Sequence, residues 1–220
     1  LKMVAAASNR PYRIGSIRPD FVIDEYNCPR ICEINARFAF NGLIISNCLN
    51  AYFSGHAEFS PTLGSQLSAM IEAMLANFDR DQTIYIIKGK EKGFDIHFVR
   101  DAFQGLDRSI DVQIVKPESL SIIDNVLFSD DHPCHQAILE LHQDELLSLP
   151  DEVRQHLITK TRYINDVRTI CIVHDKRFLS ILTNKEIMSR YLQPDSVALL
   201  CEHIIPTYPL KMISYDRLME

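Results

Sequence analysis

The chain reads IRPDFVIDEYNCPRICEINAR over residues 17–37, and this stretch decides how the whole sequence is interpreted. Two β-rich runs, residues 17–23 and 30–36, flank a centre that is rich in turn-forming residues. That order is typical of an antiparallel β-hairpin. Because side chains alternate between the two faces of a strand, the register of the hairpin determines which residues meet. We expect Ile23 to lie opposite Arg30.

The expected register gathers polar side chains on one face of the hairpin. Asp20 would lie across from Glu33, and Arg18 across from Asn35. Carboxylate and amide oxygens are ligands that suit Mg²⁺, and the planar donor fork of arginine matches phosphate oxygens. Arg37 is a second candidate for a phosphate contact. The pattern predicts a magnesium and phosphate site; the alternative is a solvated face on which opposite charges pair across the strands.

The sequence Arg-x-Asp, a turn and then Glu-Ile-Asn-Ala-Arg resembles the metal-binding hairpin of ATP-grasp ligases. The hairpin opens the chain here and an α/β segment follows it. This order resembles the circularly permuted ATP-grasp group, which includes the synthetase half of glutathionylspermidine synthase. Four later segments resemble permuted ATP-grasp proteins, especially fungal ones, so that the resemblance spans most of residues 14–210: residues 135–143, 165–169, 173–177 and 203–207.

The resemblance implies a role for each residue of the polar face. The implied magnesium ligands are Asp20, Glu33 and Asn35. Arg18 is the implied catalytic residue, which stabilises the transferred phosphoryl group, and Arg18 and Arg37 would bind the phosphates of ATP. In the implied reaction a carboxylate attacks the γ-phosphate of ATP, and an amine captures the acyl phosphate to form an amide. ATP and Mg²⁺ are the implied cofactors, and small carboxylates and amines are the implied substrates.

The resemblance also implies a fold class. This is α/β, with the metal-binding half of an ATP-grasp fold followed by a Rossmann-like pre-ATP-grasp domain. We expect the hairpin and its helices in residues 1–80, the Rossmann-like domain in residues 81–210 and the start of a truncated remainder in residues 211–220. ATP-grasp enzymes take their adenine-side lysines from a second subdomain. The missing ATP-grasp half is therefore expected in a longer parent chain.

Hydrophobic periodicity predicts the elements that follow the hairpin. Helices are predicted over residues 41–53 and 60–78. The order of a strand at residues 83–87, a helix at 94–106 and a strand at 111–115 predicts a βαβ unit. Further elements are predicted at three places: strands at residues 122–128 and 168–173, and a helix at 135–147. We expect the domain boundary within residues 77–82.

Composition narrows the class of protein. The 220 residues include 29 acidic and 23 basic side chains, and the net charge of −6 argues against nonspecific binding to nucleic acid or to an anionic membrane. The six cysteines form no Cys-x-x-Cys pair, so neither a disulfide framework nor a zinc ribbon is indicated. Nothing marks a membrane span or a signal peptide. We expect a cytoplasmic protein with reduced thiols.

Two other motifs are weaker candidates for chemistry. The basic turn at residues 88–93 precedes a helix, and such a turn can bind an anion through backbone N–H groups, although most are only solvated. The segment at residues 130–135 carries two aspartates, two histidines and Cys134, all zinc-compatible. Its spacing suits the polar start of a helix better than one tetrahedral ion.

Two functions follow from the sequence. The first is a fragment of an ATP-dependent carboxylate–amine ligase of the ATP-grasp class, in which Arg18, Asp20, Glu33 and Asn35 handle phosphate and magnesium. The alternative is a noncatalytic α/β ligand-binding or scaffolding module that retains a degenerate ATP-grasp hairpin.

Overall fold

A computed structural model describes residues 2–13, 15–37, 48–49, 52–53, 67–90 and 95–209. In these residues the protein is mixed α/β, with sheets of two, four and three strands, so the predicted α/β class is confirmed at this level. The strands are β1 (Arg18–Ile23), β2 (Pro29–Asn35), β3 (Ile84–Lys88), β4 (Val112–Val115), β5 (Leu120–Ile123), β6 (Val126–Ser129), β7 (His132–Pro133), β8 (Gln136–Glu140) and β9 (Arg162–Ile164). The α-helices are α1 (Lys2–Ala7), α2 (Leu67–Leu75), α3 (Asp95–Leu106), α4 (Gln143–Ser148), α5 (Asp151–Thr159), α6 (Phe178–Leu182), α7 (Lys185–Met188) and α8 (Pro194–His203).

The four-stranded sheet is parallel throughout and has the order β4-β3-β8-β9. The predicted βαβ unit is present as β3, α3 and β4. Parallel strands that are covered on both faces are continuously apolar, and the residues from Ile84 to Ile87 are all buried, as are the five residues of β8. The sheet is therefore the centre of the protein's core.

Each face of this sheet packs against its own set of helices. Ile86 and Ile138 point to one face, where they pack with Phe103 of α3 and with buried residues of α2. Ile87 and Leu139 point to the opposite face, towards α1, α4 and α5. The alternation along each strand thus separates two apolar clusters with the sheet between them.

The predicted strand at residues 122–128 is instead a hairpin of β5 and β6. Its turn residues, Asp124 and Asn125, have φ angles of 47° and 62°. Two consecutive left-handed residues form the turn that best matches the twist of a tight hairpin, and aspartate and asparagine tolerate this conformation. The hairpin joins β7 in a separate antiparallel sheet and does not extend the parallel one.

Two further predictions are wrong in type. Residues 135–147, predicted as one helix, contain the buried strand β8 and then α4. Residues 168–173, predicted as a strand, are helical, and Thr169–Val173 forms a π-helical turn. This turn starts where the Asp166 carboxylate accepts a hydrogen bond from the Arg168 N–H, at 2.9 Å. The local side-chain bond outweighs the β preference of the Thr-Ile-Cys-Ile-Val run.

The remaining helical predictions are only partly covered by the described residues. Within residues 60–78, α2 is present, and the residues before 67 lie outside the described part. Within residues 41–53, only 48–49 and 52–53 are described, and they are helical. Among the described residues, no helix is both long enough and apolar enough to cross a membrane.

Candidate functional site

The β1–β2 hairpin has the predicted register at its base. Asp20 pairs with Glu33 and Arg18 pairs with Asn35. The register shifts by one residue between Asp20 and Phe21, because Cys32 is an extra residue in β2. At the turn, Ile23 consequently pairs with Pro29 and not, as predicted, with Arg30.

The polar face of the hairpin is a network of paired charges. Arg18 donates two hydrogen bonds to the Asp20 carboxylate, from Nε at 2.8 Å and from Nη2 at 3.1 Å. The Asn35 side-chain amide donates to the same carboxylate at 2.9 Å. The Arg18 guanidinium, through its hydrogen bond, lowers the pKa of Asp20, so this carboxylate is ionised at neutral pH. Glu33 is held by the Lys176 ammonium at 3.2 Å.

This arrangement corresponds to the alternative given above, in which opposite charges on the polar face of the hairpin pair with each other. Asp20, Glu33 and Asn35 do lie together, but each carboxylate contacts a cationic side chain, and Asn35 presents its amide N–H₂ group to Asp20. In the described part of the chain, no three His, Cys, Asp or Glu side chains are placed to share a metal ion. Arg37 has a relative exposure of only 9%. The magnesium and phosphate roles of these residues stay predictions.

The base of the hairpin is fixed to the carboxyl edge of the parallel sheet by Asn165, which follows β9. The Asn165 side-chain oxygen accepts a hydrogen bond from the Ser16 N–H at 3.1 Å. Asn165 is buried and has a φ of 61°, a left-handed conformation that asparagine tolerates. Gly15 packs so closely here that a Cβ atom on it would lie 1.8 Å from the Asn165 Oδ1 atom. The approach of the two segments therefore requires glycine.

Asp166 and Arg168 hold the segment that precedes the hairpin. The buried Asp166 carboxylate accepts from Arg168 Nε at 2.8 Å and from Nη2 at 2.6 Å. Arg168 also donates to the backbone carbonyls of Arg10 and Pro11, each at 3.2 Å, and its guanidinium lies 5.0 Å from the centre of the Tyr12 ring. Asp166 and Arg168 thus anchor residues 10–12, which precede the hairpin.

His174 supports the other strand of the hairpin. Its Nδ1 atom accepts a hydrogen bond from the Ala36 N–H at 3.3 Å. Burial lowers the pKa of His174, and the nearby Arg37 charge lowers it further, while Glu33 acts in the opposite direction. The imidazole is therefore held neutral, which is the form that can accept at Nδ1.

Acid is expected to destabilise the protein through His174. Its folded-state pKa lies below the ordinary 6.5, so the unfolded state binds more protons in this range and stability falls as the pH drops through and below 6.5. His174→Asn, which keeps an acceptor for the Ala36 N–H but does not titrate, should flatten this dependence. Urea unfolding between pH 5 and about 7.5 measures it, with exposed His97→Asn as the control. An unchanged slope in His174→Asn would contradict the assignment.

The structure also shows where the residues of the two weaker motifs lie, which are the segment at residues 130–135 and the basic turn at residues 88–93. Cys134 is buried, and burial raises the pKa of its thiol to about 12. Asp130, Asp131 and His132 are exposed instead. In the basic turn, Lys90 pairs with Asp144 at 2.7 Å. Residues 91–94 of that turn lie outside the described residues.

Four apolar side chains on the hairpin are exposed, and the sequence analysis gave them no role. Their relative exposures are 54% for Phe21, 46% for Val22, 64% for Ile23 and 76% for Tyr26. We call Phe21, Ile23 and Tyr26 the hairpin patch, because Val22 lies on the face of β1 that carries Asp20. The sequence could have predicted this exposure, because side chains alternate along β1. If Arg18 and Asp20 lie on one face of the strand, Phe21 and Ile23 lie on the other.

A cavity lies away from the predicted site residues. It has a volume of ≈ 600 Å³ and is lined by residues of α6, α7, α8 and the segment from residue 204 to 209. Its lining is mainly apolar and includes Ile181, Ile187, Cys201 and Tyr208. None of Arg18, Asp20, Glu33, Asn35 or Arg37 borders it.

A known protein-family model matches most of the chain. The model of the family described as the AnkG N-terminal domain matches residues 1–172, which is 172 of the 220 residues. No curated protein matches the chain. The matched range contains the hairpin, the parallel sheet and the Asn165–Asp166 anchor.

This family match contradicts the resemblance to ATP-grasp proteins. The identification as a permuted ATP-grasp protein was wrong, and so was the ligase function, with its acyl-phosphate intermediate, that depended on it. The resemblance rested on short motifs, and short motifs recur by chance in unrelated families. The structure contains the predicted hairpin with Arg18, Asp20, Glu33 and Asn35, but the hairpin belongs to an AnkG N-terminal domain and not to an ATP-grasp domain.

Proposed function

The chain belongs to the AnkG N-terminal domain family, and from this premise we propose that it is a non-enzymatic, scaffold-type domain whose hairpin patch binds a partner protein. The observation that carries the proposal is the exposure of Phe21, Ile23 and Tyr26 on the two-stranded β1–β2 hairpin. Contiguous apolar side chains on a protein surface are typical of interaction sites. Aromatic side chains supply a large share of the binding energy in such sites.

The rigidity of the hairpin turn supports this proposal. The Asp24 Oδ1 atom accepts backbone hydrogen bonds from Tyr26 at 2.9 Å and from Cys28 at 2.8 Å, and Oδ2 accepts from Arg30 at 2.8 Å. These bonds fix the loop that presents Tyr26. A surface that is ordered before binding loses less conformational entropy when a partner docks.

The anchoring of the hairpin base supports it as well. On one strand Ser16 is bonded to Asn165, and on the other Ala36 is bonded to His174. The outer edge of β2 is also held, because the Ile205 N–H donates to the Ile31 carbonyl at 3.0 Å. The hairpin is thus fixed to the α/β core at its base while its distal half is exposed.

For the core we propose a doubly wound, Rossmann-like arrangement that serves as the support. Its parallel strands, the helices on both faces and the change of direction in strand order at β3 and β8 favour this interpretation. In such sheets the crevice at the carboxyl ends of the strands is the usual ligand site. Here the residues after β9 anchor the hairpin at that edge.

Replacing Tyr26 should weaken partner binding strongly. A tyrosine that acts as an interface anchor contributes about 2 kcal/mol or more, which corresponds to a loss of roughly 30-fold in affinity for Tyr26→Ser. Tyr191→Ser is a matched control, because Tyr191 is exposed to 77% and Tyr26 to 76%, and Tyr191 lies outside the hairpin. The unaltered chain and the two variants are each immobilised, and the proteins that each one captures are compared by quantitative mass spectrometry.

The expected result is a set of captured proteins that Tyr26→Ser loses and Tyr191→Ser keeps. Equal capture by all three proteins would show that the hairpin patch is not the binding surface. Circular dichroism and thermal unfolding verify that both variants are folded. Because both tyrosines are at the surface, we expect neither replacement to lower stability appreciably.

A further inference from the structure

The outer edge of β1 offers backbone groups for pairing. The Asp24 N–H donates inward to the Cys28 carbonyl at 3.0 Å. Because hydrogen-bond direction alternates along an antiparallel strand, Val22 and Asp20 also face β2, whereas Pro19, Phe21 and Ile23 direct their backbone groups outward. Among the described residues, no strand pairs with this edge. Such an edge is a template for strand addition.

We propose that the outer edge of β1 pairs with β1 of a second copy of this chain. The two strands run antiparallel about a two-fold axis at Phe21, and the result is a four-stranded sheet with the order β2-β1-β1-β2. This inference rests on the proposed function, because it names the occupant of part of the hairpin patch. A two-fold contact requires a self-complementary surface, and the sequence of β1 meets that requirement when the axis lies at Phe21.

Charge selects the position of the axis. With the axis at Phe21, Arg18, which binds Asp20 in its own chain, would lie opposite Asp24 of the second copy, which binds Arg30 in its own chain. This juxtaposition of opposite charges would occur twice. Moving the axis to Val22 would place Asp20 opposite Asp24 of the second copy, and moving it to Asp20 would place two Asp20 side chains together. Like charges directly opposite each other destabilise a pair of strands. Of these three axes, only the one at Phe21 combines backbone pairing with complementary charge.

The backbone groups of β1 fit the same register. Each Phe21 N–H would donate to the Phe21 carbonyl of the other copy, and each Ile23 N–H would donate to the Pro19 carbonyl of the other copy. Proline lacks an N–H group, so Pro19 serves as an acceptor only. Phe21 and Ile23, which are 54% and 64% exposed, would lie on one face of the joined sheet with their counterparts. The two phenylalanines form a cross-strand aromatic pair.

The assembly would also be closed. After pairing, the outer strands of the joined sheet are the two copies of β2. Each β2 edge already meets the segment after α8, through the Ile31–Ile204 bridge and the hydrogen bond from Ile205 to Ile31. A dimer therefore leaves no open β1 edge for a third copy.

Charge variants at Phe21 test the pairing, because this residue would lie opposite itself. Sedimentation equilibrium of the unaltered chain at rising concentration should show the mass increase from 25.3 kDa towards twice that value. Phe21→Lys and Phe21→Glu should each remain at 25.3 kDa, because like charges would meet at the axis. An equimolar mixture of the two variants should restore the doubled mass. Phe98→Lys is a matched control that should still dimerise, since Phe98 is 55% exposed on α3.

Three results would overturn the proposal. They are a monomeric unaltered chain at all concentrations, dimers of either single Phe21 variant, and failure of the mixture to associate. Circular dichroism of each variant establishes that it is folded before the masses are compared. The proposed function fails separately. Tyr26 lies outside β1 and therefore outside the paired strands. If the chain does not self-associate but still captures proteins in a Tyr26-dependent way, only the dimer is rejected and the proposed function stands.

Discussion

Asp166→Ala is expected to lower the free energy of unfolding by about 3–5 kcal/mol, the range found when one member of a buried ion pair is removed. Asp166 has a relative exposure of 2%, and Arg168 donates to it from Nε, Nη2 and the backbone N–H. Without the carboxylate, the part-buried guanidinium keeps its carbonyl contacts to Arg10 and Pro11 and its contact with the Tyr12 ring, but it has lost its anionic partner. Urea denaturation followed by circular dichroism measures the change.

A second Asp-x-Arg pair in the chain provides the control. Asp175 accepts from the backbone N–H and from Nε of Arg177, both at 2.9 Å, so its local geometry matches that of Asp166 and Arg168. The Arg177 side chain is 78% exposed, however, whereas that of Arg168 is 18% exposed. Once the Asp175 carboxylate is removed, water can solvate the exposed Arg177 guanidinium. Asp175→Ala should therefore lower the free energy of unfolding much less than Asp166→Ala does. Similar losses in both variants would contradict a special anchoring role for Asp166.

Gly15→Ala is expected to cost about 1–3 kcal/mol or more, because it forces extra volume into a close backbone contact. The added Cβ would lie 1.8 Å from Asn165 Oδ1, 2.6 Å from Asn165 N and 2.8 Å from its Cα. Rotation of the Asn165 side chain can relieve only the first of these contacts. The variant should also loosen the base of the hairpin, since Ser16 is bonded to the same asparagine. Thermal and urea unfolding measure the stability.

Gly105→Ala is the opposite case and serves as the control. Gly105 lies in α3, and a Cβ on it would meet no atom within 4 Å. Alanine is a better helix former than glycine, so this replacement should stabilise the protein by about 0.5–1 kcal/mol. If Gly15→Ala were as stable as Gly105→Ala, the contact between residue 15 and Asn165 would be wrong.

Local patterns predicted much of the hairpin and of the first βαβ unit. In β1 and β2 the two-residue alternation places Asp20 opposite Glu33 without any knowledge of the rest of the fold. The bulge at Cys32 was not predictable, because an inserted residue changes the register without changing the composition. The buried run from Ile84 to Ile87 was recognisable as a strand of a covered parallel sheet.

Elements that depend on distant contacts were not predictable in the same way. Residues 169–173 form an apolar, β-branched run, but the Gln143 side chain donates to the Ile170 carbonyl at 2.9 Å and Asp166 fixes the start of the turn. Strand β8 was taken for part of a helix because a fully buried strand has no polar alternation to reveal it. Burial in the sheet decided the conformation of β8, and the local Asp166 bond together with the distant Gln143 bond decided that of residues 169–173.

The candidate site illustrates a different limit. Residue types and spacing brought Arg18, Asp20, Glu33 and Asn35 together correctly, yet the same residues form pairs with each other and with Lys176. A magnesium site and a charge-paired face use the same residue types, because carboxylates and amides serve both as Mg²⁺ ligands and as hydrogen-bond partners of arginine and lysine. Phe21, Ile23 and Tyr26 belong to no recognisable motif, so motif-based prediction assigned them no role. Fold and motif alone do not determine function.

The central claim is that the hairpin patch is the binding surface of the domain. Amide hydrogen exchange of the chain, alone and saturated with a partner recovered by capture, tests it most directly. The account predicts that slowed exchange is concentrated in residues 18–30. Slowed exchange confined to the walls of the cavity, in residues 180–209, or to the carboxyl edge of the parallel sheet would contradict it.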